Sequence, residues 1–115
     1  MLSVAFVLLS LAVLLGAWLT ILYLRQDAGR APWFGRAAHG LFGAGGLALL
    51  LLAPFGADGG FVRAGLALIG AALPLGLIFW LGWNRLGRAR DGVLILHAFL
   101  AITGFVLLSG WYVNR

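Results

Sequence analysis

Residues 2–24 read LSVAFVLLSLAVLLGAWLTILYL, and this stretch decides the class of fold. It contains no charged residue. Wound as a helix it rises roughly 35 Å, against about 30 Å of bilayer hydrocarbon. Hydrocarbon offers no water to backbone N–H and C=O groups, so a helix, which closes its own hydrogen bonds, is the one sensible conformation for it. The run is too long for the apolar region of a signal peptide. No basic residue precedes it and Arg25 follows it, so it reads as a retained span.

Three more runs of this kind follow: from about Trp33 to Ala53, from about Phe61 to Trp83, and from about Gly92 to Val113. Each is long enough to cross a bilayer. The connections are short: RQDAGRAPWFGR, PFGADGG and NRLGRARDG. The expected fold is all-α. It is an integral-membrane four-helix bundle, up-down-up-down, forming one transmembrane domain over residues 1–115. Composition agrees. Of 115 residues 63% are hydrophobic and 10% charged, where a soluble domain carries about 25% charged residues to cover its surface.

The charges that remain are eight Arg and three Asp, for a net charge of +5. Arg25, Arg30 and Arg36 sit around the first loop, and Arg85, Arg88 and Arg90 around the third. Only Arg63 and Arg115 belong to the other side. The positive-inside rule then puts the first and third loops in the cytoplasm and both termini outside, periplasmic in a bacterial inner membrane. The Ala-, Gly-, Leu- and Arg-rich composition suggests a bacterium. Trp33, Trp80 and Trp83 fit the inner aromatic belt, and Trp111 and Tyr112 the outer one. Arginines confined to short loops suit lipid headgroups and topology, not nucleic acid. The chain has no Cys. That excludes disulfides, thiolate chemistry, iron–sulfur ligation and covalent haem attachment.

The chemistry-bearing residues are the two histidines, and their contexts match. HGLFGAGG at 39–46 and HAFLAITG at 97–104 each place a small residue at the next position, another at +4 and Gly at +7. A shift of 58 residues superposes His97 on His39, Gly104 on Gly46, and Leu107-Leu108 on Leu49-Leu50. The chain therefore reads as two repeated helical hairpins, each with a histidine near the start of its second span. On a helix, i, i+4 and i+7 share a face. His39, Gly43 and Gly46 form one stripe, and His97, Ala101 and Gly104 the other.

Two explanations fit a stripe of this kind. Small residues let membrane helices approach closely, and they also clear room beside an imidazole for a flat macrocycle. Both histidines follow the arginine-rich loops closely, within roughly 10 Å of the cytoplasmic boundary along the helix. The second and fourth helices of an up-down bundle are diagonal neighbours. Two imidazoles facing each other across the bundle would suit axial ligation of a single haem b iron. Arg36 and Arg90 lie toward the cytoplasmic side, where propionates would sit. Ionisable groups are expensive in a membrane, so these two are functional candidates. Interhelical hydrogen bonding, another metal, or quinone contact are the alternatives.

The stretches GVLILHAFLAITGFVLL (92–108) and WFGRAAHGLFGAGGLALLLL (33–52) resemble small uncharacterised four-span bacterial membrane proteins. They are also loosely similar to transmembrane cytochromes b with bis-histidine haem. That resemblance implies electron transfer with a membrane or quinone-linked partner. Larger cytochromes b often hold two haems on four histidines, and this chain has two histidines. One haem near one side is therefore what the resemblance implies. The competing expectation is an accessory subunit, without cofactor, packed in a larger respiratory or redox membrane complex or in a homo-oligomer.

Other activities fit poorly. Small multidrug exporters of similar length use a membrane-embedded Glu, and this chain has none. Ser3, Ser10 and Ser109 have no convincing base nearby. The glycines at 43–46 lie inside an apolar span and form no phosphate loop. Pro74 should kink the third span. Ser10, Thr20 and Thr103 are expected to bond their own helix backbone, and Asp91 to begin or cap the fourth span.

Overall fold

A computed structural model describes residues 2–25, 32–52 and 60–114. The described part of the chain is all-α, as expected. Four long helices are α1 (Leu2–Leu24), α2 (Trp33–Leu52), α3 (Gly60–Leu81) and α5 (Ala89–Asn114), with a single short turn α4 (Trp83–Leu86) between the last two. All four long helices have the length and apolar composition to cross a membrane. The chain is accordingly an integral membrane protein, and the inventory is that of the expected four-helix fold. Arg30, Arg115, Asp27 and Asp58, which bear on the orientation expected from the loops, lie outside the described residues.

The helix ends follow local chemistry. Pro32 cannot donate to a preceding turn, but its carbonyl accepts from Gly35 N at 3.0 Å and Arg36 N at 3.4 Å, which starts α2. Gly82 closes α3 by donating to Ile78 O at 2.8 Å, and its own carbonyl accepts from Arg85 N and Leu86 N. Gly87 then turns the chain at φ 53, a left-handed conformation that glycine adopts without strain. The last span was expected from Gly92, but α5 begins at Ala89, so Arg90 and Asp91 lie in its first turn. A carboxylate there opposes the positive end of the helix dipole. The periodicity of apolar residues could not reveal this polar first turn.

The chain packs as two compact units, Met1–Ala53 and Pro54–Arg115. Each is an antiparallel helical hairpin, α1 on α2 and α3 on α5, and these are the two repeated halves anticipated above. Lipid tails are as apolar as leucine, so hydrophobic burial does not drive helices together in a membrane. What holds each hairpin is close contact along a seam of small residues. In the first, Ala5, Leu9 and Ala12 of α1 are buried against Gly46, Leu47 and Leu50 of α2. In the second, Gly65, Ile69 and Ala72 of α3 meet Gly104 and Leu108 of α5. Outside the seams the surfaces are large and apolar, as at Leu14, Leu41, Phe61 and Phe99, which suits a lipid environment.

Polar side chains in the spans are served locally. Ser10 Oγ donates to Phe6 O at 2.7 Å, and Thr20 Oγ1 donates to Gly16 O at 2.8 Å. Both are the expected back-bonds to the preceding turn. Among the described residues, no buried side-chain nitrogen or oxygen lacks a hydrogen-bond partner. Pro74 lies inside α3. Its missing N–H withdraws the helical donor from the Gly70 carbonyl, one turn back.

Candidate functional site

Each histidine is fixed by the first helix of its own hairpin. His39 Nδ1 lies 2.7 Å from Ala12 O, and His97 Nδ1 lies 2.7 Å from Ala72 O. A backbone carbonyl can only accept, so Nδ1 carries the hydrogen in both rings. In the neutral imidazole the lone pair then belongs to Nε2. The acceptor carbonyl is already the i→i+4 acceptor of its helix, and its second lone pair takes the imidazole.

What opens that carbonyl is the residue one turn further on. Gly16 follows Ala12 by four positions, and Gly76 follows Ala72 by four. A Cβ placed on Gly16 would come within 2.8 Å of His39 Cε1 and 3.3 Å of its Nδ1. A Cβ on Gly76 would come within 2.9 Å of His97 Cε1 and 3.2 Å of its Nδ1. The ring edge occupies the volume a side chain would fill. Such contacts are closer than Cβ atoms tolerate, so either ring would have to move for an alanine.

The remaining small residues divide into two groups. Gly46 and Gly104 serve the seams. A Cβ on Gly46 would lie 2.8 Å from Leu9 Cγ and 3.1 Å from Ala5 O, and one on Gly104 would lie 2.7 Å from Ile69 Cγ1. Their role is helix approach, with Leu9 and Ile69 filling the space beside them. Gly43 and Ala101, one turn from each histidine, are half-buried. Of the stripes read from the sequence, these are the two positions where room for a macrocycle remains an open role. Arg36 is exposed on the first turn of α2, one turn before His39. Arg90 is half-buried, and its Nε donates to Gly87 O at 3.2 Å, which ties the guanidinium to the turn ahead of α5.

No known protein family, curated protein or solved structure matches this chain.

The duplication goes further in three dimensions than the histidine stretches suggest. The second helices superpose by a shift of 58, and the first helices by a shift of 60. Ala5, Leu9, Ala12 and Gly16 then fall on Gly65, Ile69, Ala72 and Gly76. Every relationship in one hairpin has its counterpart in the other: His on the Ala carbonyl, Gly under the ring, Gly46 or Gly104 against Leu9 or Ile69. Ala12, Gly16, Ala72 and Gly76 were not candidates from the sequence. The signal that finds them is this second shift. It differs from the first by two residues because the segment from Gly16 to His39 is that much longer than the one from Gly76 to His97.

Chemically, the described residues offer two imidazoles and no other cluster. Among them no group of three or more His, Cys, Asp or Glu could hold a metal ion. A haem iron needs only two axial nitrogens, and ligating histidines commonly donate their other ring N–H to a backbone carbonyl. On donor chemistry each histidine, taken by itself, can supply one such nitrogen through Nε2.

Proposed function

We propose that this chain is a small membrane protein of the bacterial inner membrane that holds one b-type haem through Nε2 of His39 and Nε2 of His97. The observation that carries the reading is the Nδ1–H···O=C bond made by both histidines. It assigns the lone pair to Nε2 in each ring, which is the tautomer an axial ligand needs. A single interhelical hydrogen bond in a membrane is worth about 0.6 kcal/mol on average. Two such bonds are a modest contribution beside the glycine seams, so orientation is the larger thing they supply.

When bound, haem would supply one-electron transfer. The residues of the chain supply the rest. The carbonyls of Ala12 and Ala72 hold the imidazole protons on Nδ1. Gly43 and Ala101 keep the side chains small one turn along from each histidine. Arg36 and Arg90 bring positive charge to the side where the propionates would lie. The electron partner would be a membrane or quinone-linked redox protein, and both chain termini would be periplasmic by the arginine bias of the loops. Purified protein expressed with ample haem should show a Soret band that His39→Ala and His97→Ala both diminish.

A second reading rests on a specific observation. Each imidazole reaches the facing helix of its own hairpin, bonding a backbone carbonyl there and filling the gap left by Gly16 or Gly76. On that reading the histidines are clasps, and the chain is an accessory subunit of a larger membrane complex or a homo-oligomer. A colourless protein that copurifies with a larger assembly is its signature.

A further inference from the structure

We infer that Gly16 and Gly76 are positioning residues for the two histidines, one in each hairpin, and that each selects which imidazole nitrogen keeps its lone pair. The functional sense of the inference rests on the haem reading, but its chemistry does not.

The argument starts from the helical backbone. A carbonyl in a membrane helix is normally shielded by the side chain of the residue four positions on, which lies over the same strip of surface. At Ala12 and Ala72 that later residue is glycine, and the strip is bare. The imidazole edge lies in the gap, with Cε1 2.8 Å from where the Gly16 Cβ would be and 2.9 Å from where the Gly76 Cβ would be. Nδ1 is thereby carried to 2.7 Å from the carbonyl oxygen in both hairpins. The other glycines of these helices show what distinguishes the pair. A Cβ on Gly70 meets nothing within 4 Å, and one on Gly65 meets Leu108. Among the glycines described on these two helices, Gly16 and Gly76 are the ones occupied by a ring that can change its protonation pattern.

The bond and the gap act together. With Nδ1 on the carbonyl, the hydrogen is on Nδ1 and Nε2 keeps the lone pair. An alanine in the gap pushes the ring off the carbonyl, and the preference for the Nδ1–H form goes with it. The two tautomers of a free imidazole are close in energy, so a single hydrogen bond is enough to choose between them. The residue that decides the coordinating atom is therefore a glycine on the neighbouring helix.

The test uses the full chain in lipid bilayers with 15N-labelled histidine. Nitrogen NMR of the haem-free protein separates protonated from unprotonated ring nitrogens. In the native chain both histidines should carry the hydrogen on Nδ1. Gly16→Ala should remove most of the Nδ1–H signal of His39 and leave that of His97 in place, and Gly76→Ala should do the reverse. Gly40→Ala, where a Cβ meets nothing within 4 Å, should change neither. Nδ1–H signals that survive both alanine variants would overturn the inference. So would an Nε2–H form in the native chain, a measurement that stands even if a variant fails to insert. The haem arm is separate. If the native chain binds haem, its ferrous form should exclude carbon monoxide, and Gly16→Ala or Gly76→Ala should admit it as one axial ligand weakens. If the native chain takes up no haem, the haem reading fails and the nitrogen spectra alone decide the positioning role.

Discussion

Gly65 and Gly104 face each other across the second hairpin so closely that a side chain on either would strike the other's backbone. A Cβ on Gly104 would lie 2.9 Å from Gly65 O, and one on Gly65 would lie 3.1 Å from Gly104 O. The first hairpin keeps the same arrangement with Ala5 opposite Gly46, and a Cβ on Gly46 would lie 3.1 Å from Ala5 O. Backbone against backbone is the closest approach two helices can make, and it maximises the dispersion contacts that hold membrane helices together.

Gly104→Ala should therefore loosen the second hairpin by roughly 1–3 kcal/mol, the usual cost of forcing atoms into a filled seam. Gly40→Ala adds a methyl where there is space and should be neutral or gain up to about 1 kcal/mol from helix propensity. Reversible unfolding in mixed micelles, followed by helicity, measures both. Equal effects from the two substitutions would contradict the seam.

The ring and the glycine beneath it should be coupled. Gly16→Ala in the native background meets the His39 ring and destabilises. In a His39→Ala background the gap is vacant, and the same substitution should be tolerated or stabilise by about 0.5–1 kcal/mol. The double-mutant cycle should return an interaction energy of roughly 0.5–3 kcal/mol, the range for residues in direct contact. Additive effects would show that ring and glycine do not meet.

Gly43 and Gly46 are three residues apart and should respond differently to bulk. Gly43→Leu and Ala101→Leu should lower haem content per folded protein while the hairpins remain intact. Gly46→Leu should loosen the first hairpin whether or not haem is present, because Leu9 already fills that space. Haem content measured alongside detergent-resistant helicity separates the outcomes. Full haem content in Gly43→Leu and Ala101→Leu would remove any role for these positions beside a macrocycle.

The arginine bias predicts a cytoplasmic first loop and a periplasmic middle loop. Single cysteines at positions 28 and 58 of this Cys-free chain report it directly through membrane-impermeant labelling. Position 58 should label from outside and position 28 should not. The opposite pattern would reverse the orientation.

The long helices were legible because predominantly apolar runs of this length have one physical outcome in a bilayer. The four residues of α4 were not, since a single turn leaves no periodicity to read. The histidine stripes were legible as a pattern, but their use was read incompletely. Gly46 and Gly104 suited a macrocycle or a close helix contact alike, and the structure adds that Leu9 and Ile69 lie where Cβ atoms on these glycines would be. The acceptors for the histidines were invisible for a different reason. They are backbone carbonyls, which every residue possesses, and what marks Ala12 and Ala72 is a glycine four positions later in their own helix, not in the helix that carries the histidine. The two-residue difference in connection length hid the correspondence of those helices from a single alignment.

The central claim is that His39 and His97 present Nε2 to one haem iron. The absorption spectrum of the purified chain, oxidised and then reduced, tests it most directly when recorded for the native protein, His39→Ala and His97→Ala after expression with ample haem. The account predicts a Soret band and a sharp reduced α-band in the native chain, with both weakened or lost in each variant. A native chain with no Soret band, or full haem retention in both histidine variants, would contradict it.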